Sequence, residues 1–169
     1  MHVVMRRVLP LVVVGTLAGT AGAEPPVLEH QPSPCTVPAK AVSLCATITD
    51  DSQVAKARIY FRASGEKYWH VVDMAFGGIS FCGTLPAPVQ KTQAVEYYVQ
   101  AIDDEFDTQR TSTYQLRVQG DGQCGFPPVE TDAQRAAAIT VYATHKKQGK
   151  QIDDDHFLPT GVTFVPVER

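Results

Sequence analysis

The residues of this chain with the clearest chemistry are four cysteines, Cys35, Cys45, Cys82 and Cys124. They are 10, 37 and 42 residues apart along the chain, and no C-x-x-C pair occurs. A structural zinc site usually takes its cysteines from close pairs, so these spacings do not fit one. An even number of cysteines indicates a disulfide framework in an oxidising compartment, and the sequence leaves three connectivities open. We therefore predict two disulfides and no metal site.

The sequence contains no motif for nucleophilic or metal-dependent catalysis. There is no G-x-S-x-G, no H-E-x-x-H and, once two disulfides form, no free cysteine. Histidines with acids nearby are expected by chance in a chain with 18 carboxylates. We predict that the protein is not an enzyme and takes no cofactor.

Two groups of acidic residues offer oxygen ligands without the spacing of a calcium loop. Residues 153–156 lack the D-x-D-x-D-G pattern, so we interpret them as part of a solvated loop. The turns at 50–51 and 103–105 are expected at one end of the molecule. A bridging calcium is the alternative there to the ordinary role of Asp in turns, which we favour.

Three aromatic residues, Tyr60, Trp69 and Tyr98, lie on segments that are expected to pair, with Arg58 and Gln100 beside them. An exposed ring binds a sugar by stacking on its C–H face, while polar neighbours bind the hydroxyls. These five residues are the candidate ligand face. The alternative, which we favour, is that the C-terminal tail or the proline-rich N-terminal segment covers the rings, since apolar faces attract such segments.

The first 23 residues have the form of a secretory signal peptide. A short segment with Arg6 and Arg7 precedes an apolar run at 8–20, and residues 21–23 have the small-x-small form of a cleavage site. The apolar run is too short to span a bilayer. Cleavage leaves 13 basic and 18 acidic residues, a net charge of −5. We predict a bacterial periplasmic or secreted protein with no nucleic-acid partner and no membrane insertion.

The elements that position these residues are short strands. Residues 95–104 alternate with a period of two, so that Val95, Tyr97, Val99 and Ala101 face one side, and we place this strand centrally. Turn signals separate it from similar segments, which is the pattern of an antiparallel sandwich of about seven strands. The other predicted strands are 27–30, 42–49, 55–62, 68–74, 79–85 and 111–118.

We predict that residues 24–124 form the sandwich and residues 125–169 a C-terminal extension. A glycine and two prolines follow Cys124, and the segments 139–144 and 161–167 then alternate with a strand period. The polar, charged segment 145–159 lies between them. We predict a β-hairpin with a long exposed loop, packed on the sandwich because two strands alone are marginal in water.

The segments 57–65, 72–74, 83–88 and 95–104 resemble the immunoglobulin-like and fibronectin type III-like sandwich domains of exported bacterial proteins. In that class a core-facing tyrosine often stands near the start of the penultimate strand, where this chain has Tyr97. The resemblance implies that the strands of Cys45 and Cys82 are antiparallel neighbours joined by a disulfide, and that Cys35 pairs with Cys124. It implies no catalytic residue, because the class has no shared active site.

These observations favour a non-catalytic exported module for protein–protein interaction or scaffolding in the cell envelope. An exposed edge strand able to add a partner's strand would be a sign of that function. The alternative is a carbohydrate-binding module that uses an exposed aromatic face. The partner is an unknown protein or glycan.

Overall fold

The structure is a computed structural model that describes residues 24–120, 122–125, 138–143 and 155–166. The expected signal peptide at 1–23 lies outside the described residues. The described part of the chain is all β and has no helix long and apolar enough to span a bilayer. Its strands are β1 (Val27–Glu29), β2 (Cys35–Thr36), β3 (Val42–Thr49), β4 (Val54–Ala63), β5 (His70–Asp73), β6 (Ala75–Phe76), β7 (Phe81–Leu85), β8 (Ala94–Asp103), β9 (Thr108–Arg110), β10 (Tyr114–Val118), β11 (Ile139–Ala143) and β12 (Val162–Pro166).

The strands form two sheets that enclose one hydrophobic core. The smaller sheet has the order β1-β3-β7-β6. The larger sheet has the order β12-β11-β5-β4-β8-β10-β2, and β9 also pairs with β8. All pairings are antiparallel except β2 with β10 and β11 with β12. Buried side chains of both sheets meet in a single cluster, which makes the fold a β-sandwich.

Strand β8 is the central strand of the larger sheet, as its alternation predicts. Val95, Tyr97, Val99 and Ala101 are all buried. One side of β8 pairs with β4 over almost its whole length, and the other side pairs with β9 and β10. A strand buried on its inner face and paired on both sides fixes the register of its neighbours, because a slip of one residue would expose the core side chains.

Strand β7 approaches the larger sheet closely at Gly83. A Cβ atom at this position would lie 2.8 Å from Cδ1 of Ile59 and 3.2 Å from Cγ of Met74. Glycine therefore lets β7 pack against Ile59 of β4 and against Met74 without displacing either side chain. The predicted strand 79–85 begins later in the structure, at Phe81, because the residues before it form the turn between β6 and β7.

One predicted strand is divided between the two sheets. The segment 68–74 was expected to be continuous, but β5 pairs with β4 in the larger sheet while β6 pairs with β7 in the smaller one. Met74 lies between them with its side chain buried and its backbone N–H bonded to the Ala57 carbonyl. The chain thus crosses from one sheet to the other at Met74.

The prediction of a C-terminal hairpin is wrong. Strands β11 and β12 run parallel, and β11 pairs antiparallel with β5, so both extend the edge of the larger sheet. A hairpin needs a short turn, whereas parallel neighbours need a crossover of a dozen or more residues. The 18 residues from 144 to 161 are long enough for that crossover.

The described part of this crossover is anchored to the sandwich by Phe157. Its side chain is only 4% exposed, and its ring meets Phe61 edge-on with centroids 5.2 Å apart. The backbone N–H of Val89 donates to the carbonyl of His156, and that of Leu158 donates to Ala87. The predicted exposed loop is therefore wrong for this stretch, since Phe157 is part of the core.

The structure has the two disulfides expected from the resemblance. Cys45 and Cys82 face each other on β3 and β7, and their sulfurs are joined on the outer side of the smaller sheet. Cys35 of β2 is joined to Cys124, and both lie in a small buried cluster with Val37. Two disulfides indicate an oxidising, extracytoplasmic environment.

Candidate functional site

The outer face of the larger sheet, on the side away from the core, holds the aromatic residues singled out in the sequence. Tyr60 of β4 and Tyr98 of β8 are cross-strand partners, so their side chains leave the sheet at the same level. Their rings stack with centroids 4.8 Å apart and planes 5° from parallel. Cross-strand aromatic pairs stabilise a sheet by about 0.2–1 kcal/mol.

Trp69 joins this pair from the segment before β5. Its ring meets that of Tyr98 at 71°, with centroids 5.0 Å apart. The guanidinium of Arg62 lies 4.3 Å from the centre of the Trp69 ring, in the geometry of a cation–π contact. We call the outer surface formed by Tyr60, Trp69, Tyr98, Arg62 and Arg110 the aromatic face.

Arg110 completes the aromatic face from β9. Its guanidinium lies 5.1 Å from the centre of the Tyr98 ring. Partial burial and the neighbouring Tyr60 raise the pKa of the Tyr98 hydroxyl, and Arg110 opposes that rise through its charge and a hydrogen bond. Tyr98 is therefore neutral near pH 7 and lies between a ring and a cation.

The two polar residues predicted to flank the rings lie on this surface but have other contacts. Arg58 donates from Nε to Oδ1 of Asp73 at 3.0 Å, and Gln100 is the cross-strand partner of Arg58 and Arg110. It is Arg62 and Arg110 that contact the rings. The signal for Arg62 was available, because it follows Tyr60 by two residues and must share its face.

The expectation that the C-terminal tail covers the rings is wrong for its described residues. Strand β11 adds to the edge of the larger sheet beside β5, and β1 pairs with β3 of the smaller sheet. Val71 is opposite both Tyr60 and Tyr142, so β11 lengthens the apolar row across the sheet. Tyr60, Trp69 and Tyr98 are each half-buried.

The three rings do not lie in one plane, because Tyr60 and Tyr98 stack on each other and Trp69 meets Tyr98 at 71°. Tyr60 and Tyr98 present their faces to each other, and guanidinium groups lie over Tyr98 and Trp69. Stacking of a sugar requires an open ring face. This geometry leaves fewer ring faces open than a flat platform would.

Acidic groups pair with some of the cations around the aromatic face. Glu96 accepts from Nη2 of Arg62 at 2.7 Å and from the hydroxyl of Ser64 at 3.1 Å. Asp73 pairs with Arg58 and, at 3.8 Å, with Lys56. These partly exposed pairs orient the arginines more than they stabilise the fold.

Tyr97, the core-facing neighbour of Tyr98, is bonded to the N-terminal segment. Its hydroxyl lies 2.9 Å from Nε2 of His30, whose Nδ1 lies 2.7 Å from the carbonyl oxygen of Cys45. The carbonyl can only accept, so Nδ1 of the neutral ring donates to it. Nε2 then accepts a hydrogen bond from the Tyr97 hydroxyl. Burial raises the pKa of Tyr97 and lowers that of His30.

The two acidic turns meet at one end of the sandwich, as predicted. Oγ of Ser52 lies 2.9 Å from Oδ1 of Asp50 and 2.7 Å from Oδ1 of Asp104, and the hydrogen bond that it donates to Asp104 lowers the pKa of that carboxyl. Partial desolvation and the surrounding carboxylates raise the pKa of Glu105. Among the described residues, no three His, Cys, Asp or Glu side chains are grouped to hold a metal ion. Residues 153 and 154 lie outside the described part.

The sheets end in short strands except at β12. The other edge strands, β1, β2 and β6, have two or three residues each, while β12 has five. Within the described residues, β12 pairs on one side only, with β11. An edge of this length is the feature that strand addition by a partner requires.

Comparisons with known proteins leave the chain without a family. No family model matches it, and no curated protein matches it. Among solved structures, it is similar to an engineered protein studied by the Northeast Structural Genomics Consortium, with a TM-score of 0.43 and 12% identity. The match covers 56% of this chain and 20% of that one.

Proposed function

We propose that this protein is an exported, non-catalytic module of the immunoglobulin-like or fibronectin type III-like type that binds another protein in the bacterial periplasm or outside the cell. The strand order supports the type. If β1, β3, β7 and β6 are equated with strands A, B, E and D, the smaller sheet has the order of an immunoglobulin constant domain. Strands β4, β8 and β10 then correspond to C, F and G.

The aromatic face is the observation that carries this proposal. Tyr, Trp and Arg are the residue types enriched in protein interfaces and dominant among their hot spots. Here Tyr60, Trp69 and Tyr98 are half-buried on one surface, and Arg62 and Arg110 hold the rings in place. Rings held in this way lose little conformational entropy on binding, which favours affinity.

Site-specific photo-crosslinking tests the proposal against glycan binding. A benzophenone amino acid replaces Gln100 on the aromatic face or, as the matched control, Thr47 on the outer face of the smaller sheet. The mature protein is irradiated with the exported fraction of its host, and the peptide around the probe is analysed by mass spectrometry.

We expect a peptide of one discrete protein attached at position 100, none at position 47, and loss of the adduct in Tyr98→Ala. A sugar attached at position 100 would favour the carbohydrate-binding alternative. Equal yields at both positions would contradict a specific role for the aromatic face.

A further inference from the structure

We infer that the partner presents an acidic segment, rich in Asp and Glu side chains, to the aromatic face. This inference rests on the proposed function and names the chemistry of the partner. It comes from the distribution of charge over the two sheets and from arginines that have no carboxylate partner within the described part of the chain.

Positive charge is concentrated on the outer face of the larger sheet, although the mature chain has a net charge of −5. The strand pairings place two acidic residues there, Asp73 and Glu96. Against these stand five basic residues on the same face, Lys56, Arg58, Arg62, Arg110 and Arg117. The strands of the smaller sheet contain no basic residue at all.

Two of these arginines are available to a partner. Arg110 and Arg117 are exposed, and among the described residues neither forms a salt bridge. They stand beside β8 on β9 and β10, so they flank the aromatic pair along one side. A guanidinium binds a carboxylate through two parallel hydrogen bonds, which makes arginine the preferred residue for carboxylate recognition.

The acidic turns limit the positive charge of the larger sheet's outer face at one end. Asp104 and Glu105 follow the end of β8, and Asp50 and Asp51 precede the start of β4, at the same end of the larger sheet. An acidic partner is repelled there and attracted over the middle of the face. Opposed potentials of this kind orient a partner and suppress wrong ones.

A peptide fits the contacts better than a nucleic acid or a uronic-acid glycan. Both of those ligands gain affinity by stacking on open ring faces. One face of Tyr60 and one face of Tyr98 are turned to each other, and guanidinium groups lie over Tyr98 and Trp69, so little ring face is left for stacking, while the exposed Arg110 and Arg117 suit carboxylates. The occupant we assign is therefore an acidic protein segment.

Fluorescence anisotropy with labelled polymers tests this assignment. Poly-L-glutamate is the probe, polygalacturonate carries the same carboxylates on a glycan, and poly-L-lysine is the control of opposite charge. The emission of Trp69, the single tryptophan, reports whether binding occurs at the aromatic face. We expect poly-L-glutamate to bind at about 50 mM salt and to weaken at least about tenfold at 200 mM, because salt screens the exposed arginines.

Paired variants locate the binding. We expect Arg110→Gln with Arg117→Gln to weaken poly-L-glutamate binding about tenfold, and Arg110→Lys with Arg117→Lys to weaken it less, since the charge is conserved but the paired hydrogen bonds of the guanidinium are lost. Lys40→Gln with Lys91→Gln removes two positive charges elsewhere and should leave binding unchanged. A circular dichroism melt of each variant checks that it is folded.

Three results would overturn the inference. They are failure of poly-L-glutamate to bind, equal loss in the Lys40 and Lys91 control, and binding of polygalacturonate as tight as that of poly-L-glutamate. If poly-L-glutamate fails while a protein still crosslinks at position 100, the partner is a protein of other chemistry and the proposed function stands. If both fail, the proposed function fails as well.

Discussion

The outer faces of the two sheets differ although the same alternation builds both. Ser43, Cys45, Thr47 and Thr49 line the outer side of β3, and the Cys45–Cys82 disulfide joins it to β7. The one charged residue in the strands of that sheet is Glu29. The outer face of the larger sheet instead carries stacked rings, arginines and their acidic partners.

The difference separates two roles of outward-facing residues. On β3 and β7 of the smaller sheet they are serine, threonine and cysteine, and a covalent bond joins these two strands. On the larger sheet the outward residues are large and chemically diverse, whereas small polar residues would be enough to keep the surface soluble. The inward residues of both sheets build the core, and we propose that binding uses the outward residues of the larger sheet.

The largest expected effect comes from loss of the side chain that anchors the C-terminal crossover. Phe157→Ala removes a ring buried against Phe61 and should lower the free energy of unfolding by about 3–5 kcal/mol. It should also release β11 and with it Tyr142. Urea unfolding measures the change, and Phe106→Ala, at an 85% exposed phenylalanine, is the control expected to have little effect. Equal changes in the free energy of unfolding of the two variants would contradict the claim that Phe157 anchors the crossover in the core.

The disulfide of the smaller sheet should matter for stability alone. Cys45→Ala with Cys82→Ala opens a loop with a sequence separation of 37 residues, which corresponds to about 3–4 kcal/mol in the chain-entropy model. We expect a lower melting temperature by calorimetry and unchanged poly-L-glutamate binding where the variant is folded. A change in binding of folded protein would mean that the two faces are not independent.

Loss of a ring from the aromatic face should affect partner binding more than stability. Tyr98→Ala breaks the stack with Tyr60 and should lower the free energy of unfolding by about 1–2 kcal/mol. We expect at least about a tenfold loss of partner binding, as for a hot spot. Thr47→Ala on the smaller sheet should change neither quantity appreciably. Intact binding in Tyr98→Ala, measured by anisotropy, would remove the aromatic face from the account.

The smallest effect is an acid dependence that arises at His30. Its pKa in the folded protein is lowered from the ordinary 6.5 by burial, so the unfolded chain takes up the proton first as the pH falls. The contribution to stability is complete above about pH 6.5 and declines below it. A protonated ring would also place an N–H donor against the Tyr97 hydroxyl, 2.9 Å away.

Urea unfolding at pH 7.5 and pH 5 measures this decline. His30→Gln has no proton to take up at that position and should show a smaller difference between the two pH values. A difference as large as that of the wild type would assign the effect to other groups.

The alternation of strands was predictable because it is local. β3 spans the predicted 42–49, and β8 differs from the prediction by one residue at each end. Side chains on a strand alternate whatever the fold, so the buried set of Tyr97 and its neighbours followed from the sequence. The pairing partners of β5 and β6 could not be predicted from the sequence, because the crossing at Met74 depends on which sheet offers an open edge.

The parallel pair β11 and β12 was missed for a related reason. Two segments with strand alternation have the same sequence pattern in a hairpin and in a parallel pair. The charged residues around Phe157 made the segment resemble an exposed loop, although one of its side chains lies in the core. Its signal was a phenylalanine followed by Leu158 in an otherwise polar segment. A long connection with an apolar anchor favours a crossover over a loop.

The sequence predicted which rings share the aromatic face but not which arginine contacts which ring. Tyr60, Trp69 and Tyr98 were expected together because their strands pair. Which arginine covers which ring depends on register, which the sequence leaves open. Arg62 is opposite Glu96 on β8, and Arg110 reaches Tyr98 from β9, a short strand that the sequence analysis did not predict.

Hydroxyl-radical footprinting compares the two outer faces most directly. Residues 24–169 are oxidised alone and in an extracytoplasmic fraction of the host, and the oxidation of Trp69 and Tyr98 is compared with that of Phe76 at the edge of the smaller sheet. Phe76 is 62% exposed and serves as the internal reference. We predict that the partner protects Trp69 and Tyr98 several-fold and leaves Phe76 unchanged. Protection of Phe76 with unchanged oxidation of Trp69 would contradict the claim that the larger sheet is the binding surface.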